Sequence, residues 1–420
     1  MGVQIKSLGK LKTDRDWSFS NLSRKETNYA SHGYHKYPAK FIPQIVDKLL
    51  DKYSRERDIV LDPFGGCGTT LVESKIKGRN SICIDINESA ILIANAKKTA
   101  ISPNTLERKN ELLIKRIKSN IDEKNYYGSA HPRLKYWFKE KQYNKLMRIF
   151  NEIQKEKEHN IRIFYNCCFS NILKNCSIWY SKSIKPMKDL KKRDVAPMDA
   201  FSSHLNFMTH QNEEFYDILK NSDNKVFCKI MKNDARKMRL PNESVDIIIT
   251  SPPYATSYEY ADLHQLSLLW FKFTYDLKKV REEFIGSLIK RQSEQNIDSK
   301  IAYEIIKKLQ KKDKGLAGQI GSYVTDLKDS FAEMERVLKK GKRLCLIIGN
   351  TEYKGVKILN TEISVEILKK LGFKIEDIKK RKLSSKIFTP YRDKSGRFTN
   401  KLKGKKKNIY QYEYIVIARK

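Results

Sequence analysis

The sequence predicts an α/β fold with a sheet of about seven strands and one mainly helical insertion. Short apolar runs of strand length, such as residues 245–250 and 343–348, alternate with segments of helical periodicity. This alternation runs through residues 31–100 and 226–420. Between residues 101 and 225 it gives way to helical periodicity alone, which predicts an insertion.

The first part of this pattern is a strand–helix–strand unit. Residues 41–50 have apolar side chains at helical spacing, and residues 58–62 form the expected first strand. A glycine-rich turn follows, and the next helix is expected to end at Gly78. Residues 81–85 then form the second strand, as in nucleotide-binding folds.

The second part supplies five more strands and three helices. The expected strands are residues 226–230, 245–250, 343–348, a strand starting at 373, and 410–417; the helices are 262–273, 323–339 and 364–371. No helix lies between the last two strands, so we expect them to pair antiparallel.

Four segments are therefore predicted along the chain. They are an N-terminal extension (1–30), the first half of the core (31–100), a helical insertion (101–225) and the second half of the core (226–420). The second half contains a basic insertion (276–320) and a basic loop (392–407).

Charge is the most unusual property of the composition. The chain has 84 Lys and Arg against 49 Asp and Glu, a net charge of +35. Such a surplus predicts a polyanionic partner and excludes a predominantly acidic surface. Apolar residues make up 40%, which is enough for a large core.

The seven cysteines are odd in number, and no two are spaced as CxxC. We therefore expect neither a disulfide framework nor a metal site. The expected compartment is the reducing cytoplasm. No apolar run reaches the roughly 18 residues that a membrane span needs, so no membrane association is expected.

The glycine-rich turn, residues 63–70, is the first chemical motif. Gly65, Gly66 and Gly68 let the backbone turn tightly and approach a ligand. Asp85, at the end of the next strand, can accept hydrogen bonds from two ribose hydroxyls. Asp62, just before the turn, suits a ligand ammonium better than a pyrophosphate.

The second motif is the tetrapeptide Ser251-Pro-Pro-Tyr254, directly after a buried strand. Two prolines make the segment rigid and remove two N–H donors. Carbonyl oxygens and the Ser251 hydroxyl can accept from an exocyclic amino group, and Tyr254 offers a stacking face. The motif therefore predicts a planar substrate that carries an amino group.

Together the two motifs resemble the S-adenosylmethionine-dependent DNA amino-methyltransferases of restriction–modification type. The resemblance covers residues 31–100 and 226–420 and implies a Rossmann-like, seven-stranded methyltransferase sheet. It implies S-adenosyl-L-methionine as cofactor, held by Tyr37, Pro38, Lys40, Phe41, Asp62, Phe64, Gly65, Gly66, Gly68, Thr69, Asp85 and Asp234. The catalytic residues would be Ser251, Pro252, Pro253 and Tyr254.

The resemblance implies direct transfer of a methyl group to a base flipped out of double-stranded DNA, without a metal. Serine at the first tetrapeptide position favours N4 of cytosine, and N6 of adenine stays open. C5 methylation is disfavoured because no proline precedes a cysteine. An RNA methyltransferase on the same fold and a non-catalytic DNA-binding protein also stay open. A cognate restriction endonuclease on a separate chain, and a place near the nucleoid of a prokaryote, are implied as well.

Two basic segments are candidates for contact with DNA phosphates. In the insertion they are Lys182, Lys185, Lys191, Lys192 and Arg193; in the 392–407 loop they are Arg392, Lys394, Arg397 and Lys405. That loop is the denser candidate, with eight Lys and Arg against one Asp. Beside the first segment, Trp137 and Phe138 are expected to form part of a small helical core.

Overall fold

The structure is a computed structural model that describes residues 5–38, 40–120, 124–220, 225–255, 259–286, 297–383, 391–392, 398–399 and 411–420. The chain divides into two compact units. The glycine-turn unit comprises residues 25–235 and 260–281, and the tetrapeptide unit comprises residues 1–24, 236–259 and 282–420.

The glycine-turn unit contains three parallel strands in the order β3-β2-β1. They are β1 (Ile59–Asp62), β2 (Asn80–Asp85) and β3 (Cys228–Lys232), and they occur with helices α1 (Pro43–Tyr53), α2 (Thr69–Ile76) and α3 (Glu88–Lys97). In the register of the strands, Asp62 lies opposite Cys83, and Asp85 lies opposite Lys232. The carboxyl ends of the three strands therefore meet at one edge, where ligands bind in such sheets.

The insertion is helical, as expected, and its apolar core is continuous with residues of the first half of the chain such as Cys67 and Ile93. Its helices are α4 (Pro103–Ser119), α5 (Pro132–Trp137), α6 (Glu140–Gln154), α7 (His159–Cys176) and α8 (Pro197–Lys220), and α9 (Tyr260–Trp270) packs with them. Trp137 and Phe138 are each 2% exposed, which confirms their place in this core. Trp137 stacks on Trp179, with 5.0 Å between ring centroids.

The tetrapeptide unit contains four long strands in the order β4-β5-β11-β8. Its strands are β4 (Val245–Thr250), β5 (Leu338–Ile348), β6 (Thr351–Tyr353), β7 (Val356–Ile358), β8 (Lys374–Lys382), β9 (Tyr391–Arg392), β10 (Phe398–Thr399) and β11 (Tyr412–Arg419). Its helices are α11 (Lys300–Gln310), α12 (Lys314–Val337) and α13 (Asn360–Lys370), and α10 (Leu277–Glu283) precedes them. β11 is antiparallel to both β5 and β8, which confirms the expected pairing of the last two strands.

The α/β fold and its seven main strands are confirmed, three in one unit and four in the other. One helix differs clearly from expectation, since α12 begins at Lys314 rather than at residue 323. Asp313 caps it by accepting a hydrogen bond from the Leu316 N–H. Part of the expected 276–320 insertion is therefore regular helix.

The N-terminal residues lie along strand β8. Thr13 forms a bridge with Lys380, and the Asp14 N–H donates to the Lys380 carbonyl. The Arg381 side chain donates to the carbonyl of Trp17, whose own side chain is 4% exposed. The extension therefore covers the outer edge of β8.

Within the described ranges, no helix is both long and apolar enough to cross a membrane. Among the same residues, no three or more His, Cys, Asp or Glu side chains are grouped so that they could hold a metal ion.

A buried acid lies on α2 of the glycine-turn unit. Glu73 Oε1 accepts a hydrogen bond from the Tyr29 hydroxyl at 2.6 Å and lies 2.7 Å from His32 Nε2. Burial raises the pKa of Glu73 from 4.5 to about 8 and lowers the pKa of His32 well below its usual range. Near neutral pH both side chains are therefore uncharged.

We predict that Glu73→Gln changes the pH dependence of stability. A carboxyl whose pKa is raised on folding stabilises the native state below its unfolded pKa and loses that contribution as pH rises toward its folded pKa. The unfolding free energy of the wild type minus that of the variant should therefore fall between pH 5 and 8, by about 1.4 kcal/mol per unit. Urea denaturation of both chains at several pH values measures this difference, and a constant difference would contradict the prediction.

Candidate functional site

The glycine-rich turn is a tight loop that requires glycine. Gly66 and Gly68 have φ angles of +48° and +78°, in the left-handed region that favours glycine. The Gly65 N–H donates to the Ile84 carbonyl at 2.8 Å, and a Cβ at Gly65 would lie 2.8 Å from the Cys83 Cβ. The turn is therefore packed directly on the end of β2.

Asp85 fastens this turn to the end of β2. Its Oδ2 accepts from the Gly66 N–H at 2.8 Å, and its Oδ1 accepts from the Asn87 N–H at 2.7 Å. Burial raises the pKa of Asp85 to about 6, although these backbone hydrogen bonds act in the opposite direction. The Asn233 N–H donates to the Asp85 carbonyl, which brings Asp234 to the same edge.

Asp62 lies inside the turn. It is 1% exposed, and its carboxylate accepts from the Phe64 N–H at 3.1 Å and from the Thr70 hydroxyl at 2.8 Å. These bonds fix the start of the turn to the first residues of α2. Sequence reasoning predicted a contact with a ligand ammonium and missed this internal role of Asp62.

The segment before α1 lies against the turn. A Cβ at Gly66 would lie 3.4 Å from Tyr37 Cε1, and the Tyr37 ring stacks on His264 with centroids 4.8 Å apart. Lys40 Nζ donates to Asn28 Oδ1 and to the His32 carbonyl, at 2.7 and 2.8 Å. Burial lowers the pKa of Lys40 to about 7. Pro38 and Phe41, in the same segment, are half-buried.

The tetrapeptide leaves the fully buried strand β4, in the other unit. Pro252 is buried, whereas Ser251, Pro253 and Tyr254 are half-buried. The Tyr254 hydroxyl donates to Glu413 Oε1 at 3.2 Å, and Arg381 Nη1 lies 2.7 Å from Glu413 Oε2. Both side chains of this ion pair are buried.

Sequence reasoning missed Glu413 and Arg381. The available signal was a glutamate at the start of an otherwise apolar strand, where a charge is rare unless it is paired. In the structure Glu413 accepts the hydrogen bond from Tyr254, and Arg381 neutralises the charge of Glu413.

The predicted DNA-binding cations have different environments. Lys182, Lys185, Lys191 and Arg193 are exposed. Lys192 is not, because its ammonium donates to the carbonyls of Lys174, Ser177 and Trp179 at 2.7 to 3.0 Å. All three of its donors are used within the fold, so the prediction that Lys192 contacts a phosphate is corrected to a structural role.

The basic loop 392–407 is described only in part. Arg392 lies in β9 and pairs with Phe398 of β10. The predicted phosphate contacts Lys394, Arg397 and Lys405 lie outside the described residues.

The chain is similar to known methyltransferases in sequence. A family model described as DNA methylase matches residues 5–96 and 245–420. The type II methyltransferase M.MvaI of Kocuria varians is 27% identical over 84% of this chain and 83% of its own length. M.MjaII of Methanocaldococcus jannaschii is 26% identical over 81% and 76% of the two chains, and M.BsoBI of Geobacillus stearothermophilus is 23% identical over 85% and 82%. A solved S-adenosylmethionine-dependent methyltransferase of Methanosarcina mazei aligns with 92% of this chain and 98% of its own, at 11% identity and a TM-score of 0.30.

We predict that Arg381→Met destabilises the protein by about 3–5 kcal/mol, because it leaves the buried Glu413 without its cation. The double variant Arg381→Met with Glu413→Met should recover much of this loss. Arg343→Met is the matched control, since it breaks the more exposed pair with Glu376 and should cost about 1 kcal/mol or less. Urea denaturation measures all three, and equal effects of the two single substitutions would contradict the prediction.

Proposed function

We propose that this chain, which belongs to the N6/N4 DNA methylase family, methylates N4 of a cytosine in double-stranded DNA. The methyl donor is S-adenosyl-L-methionine. The observation that carries the choice of base is the sequence Ser251-Pro-Pro-Tyr254 at the carboxyl end of the buried strand β4. Adenine N6 is the competing target within the same family.

Residues of the glycine-turn unit would hold the cofactor. Gly66 brings bare backbone close to the Tyr37 ring, and a side chain at that position would fill the space. Asp85 has lone pairs beyond those used by Gly66 and Asn87, and these would accept from the ribose hydroxyls. Asp234 would contact the adenine, and Phe64 and Thr69 would complete the turn. S-adenosyl-L-methionine supplies a methyl group on a sulfonium, which needs no metal for transfer.

The tetrapeptide would hold the target base. Ser251 Oγ and the Pro252 carbonyl accept hydrogen bonds from the exocyclic amino group, which keeps its lone pair directed at the methyl group. Pro253 fixes the backbone, and Tyr254 stacks on the base. Catalysis then consists mainly of alignment, with stabilisation of the positive charge that develops on nitrogen, and the methylated amino group then loses one proton to solvent or to the nearby Ser251.

The relatives are named type II methyltransferases, and we propose the same setting for this chain. It would protect DNA from a cognate restriction endonuclease carried on a separate chain. The partner is then the host DNA in the cytoplasm of a prokaryotic cell. The target base would be flipped out of this DNA into the catalytic site. The exposed cations Lys182, Lys185, Lys191 and Arg193 would contact its phosphates.

Modification-aware sequencing of DNA from cells that express the chain tests this proposal. We expect one short sequence context to carry N4-methylcytosine at every copy. Cells that express Pro253→Ala provide the background. N6-methyladenine at a fixed site would replace the cytosine assignment with the adenine one, and unmodified DNA together with methylated RNA would refute the proposal.

We predict that substitutions in the two motifs separate turnover from cofactor affinity. Pro253→Ala and Tyr254→Ala should lower the single-turnover rate constant by about 100-fold, because they misplace the base, and should leave cofactor binding within about twofold. Asp85→Ala should weaken cofactor binding by about tenfold or more, because it removes charge-assisted hydrogen bonds to the ribose. Single-turnover methyl transfer and calorimetric titration with S-adenosylhomocysteine measure the two effects. Equal loss of cofactor affinity in all three variants would contradict the assigned roles.

Cofactor affinity should also depend on pH through Asp85. Its pKa of about 6 means that the acceptor carboxylate becomes protonated as pH falls from 7 to 5. The affinity for S-adenosylhomocysteine should fall several-fold over this range in the wild type. Asp85→Asn should bind weakly with little dependence on pH. A steep fall that persists in this variant would assign the effect to another group.

A further inference from the structure

One exposed loop of the insertion has an apolar tip among cations. Residues 182–193, which we call the 182–193 loop, contain six Lys and Arg and one Asp. Leu190 is 76% exposed and Met187 is 38% exposed. A single exposed leucine needs no explanation, but one on a rigid and cationic loop of a DNA-modifying protein does.

The base of the 182–193 loop is firmly held. The Tyr180 N–H donates to the Met187 carbonyl, and the Asp189 N–H donates to the Ile178 carbonyl, both at 2.8 Å. The half-buried ammonium of Lys192 donates to the three carbonyls described above, which lie in the last turn of α7 and just after it. The loop therefore has a fixed position on the Trp137–Trp179 stack.

The tip of the loop is a hydrogen-bonded turn. The Lys192 N–H donates to the Asp189 carbonyl at 3.3 Å, and the Lys191 N–H donates to Asp189 Oδ1 at 3.1 Å. These bonds place Leu190 and Lys191 at the two corners of the turn. The backbone at Leu190 is thus fixed by the turn, which limits the backbone entropy that the loop would lose on binding.

Cations precede and follow this leucine in the loop. Lys188 Nζ lies 3.4 Å from the centre of the half-exposed Tyr136 ring, and the Arg133 guanidinium lies 4.9 Å from it. Lys185, Lys191 and Arg193 are exposed in the loop itself. An apolar side chain between cations matches a base step between two phosphate backbones.

We propose that Leu190 is a wedge that enters a base step of the target duplex while the neighbouring cations bind phosphates. The proposal rests on the function proposed above, because a base must leave the helix before it reaches the tetrapeptide. Unstacking one step costs a few kcal/mol, and apolar wedges of Leu, Ile, Met or Phe offset this cost in other DNA-binding proteins. Leu190 would therefore act on base opening, whereas Lys191 would act on overall affinity.

Methyl transfer to two synthetic duplexes tests the wedge. Both contain the site found by sequencing, and one has a mismatch opposite the target base, so that part of the opening cost is already met. Leu190→Ala should lower the single-turnover rate about tenfold on the paired duplex and less than threefold on the mismatched one. Lys191→Ala should weaken binding of both duplexes equally and reduce the dependence of affinity on salt.

Leu112→Ala is the matched control, because Leu112 is an exposed leucine on α4, 49% exposed, outside the loop. It should change neither rate. An equal loss on both duplexes for Leu190→Ala, or no loss on either, would overturn the wedge. Absence of methyl transfer by the wild type on both duplexes would instead refute the proposed function. A difference between variants tests only the wedge, so the two failures are distinguishable. Circular dichroism of each variant checks that the insertion remains folded.

Discussion

Both motifs depend on buried or half-buried carboxylates that accept hydrogen bonds. A motif loop leaves its strand without regular backbone pairing, so its N–H groups need acceptors. Asp62 and Asp85 supply these acceptors in the glycine turn, and Glu413 supports Tyr254 in the other unit. An unpaired carboxylate at these depths would be costly, and the geometry of each motif is therefore set before any ligand arrives.

The sequence was sufficient for the seven main strands and for the helical character of the insertion, because each depends on local pattern, whereas the short strands β6 and β7 were not predicted. Apolar runs identify buried strands such as β4, and a cluster of three glycines identifies the turn, where two of them have positive φ. The pairing of Glu413 with Arg381 could not be predicted, since it depends on the register of β11 against β8. The environment of Lys192 could not be predicted for a similar reason. Its ammonium donates to three backbone carbonyls, and nothing in the sequence of a basic run indicates such contacts.

The helical insertion combines an aromatic core with exposed cations at its surface. Its aromatic core is closed and apolar, and it includes tryptophans from separate segments. Gln265 ties this core to the surface, because its side-chain oxygen accepts from both Trp137 Nε1 and Arg133 Nε. The exposed cations therefore stand on a rigid support. Part of the net charge of +35 thus has a fixed location, which is what a surface that binds one polyanion in one orientation requires.

The contact between the N-terminal residues and β8 has a consequence for handling the protein. An uncovered edge strand can pair with the same strand of another molecule and start aggregation. Here Thr13 and Asp14 occupy part of that edge, and Trp17 is buried beside it. The four lysines of β8 are at least partly exposed and add charge repulsion between copies. Removal of the first ~20 residues would therefore remove a guard against self-association.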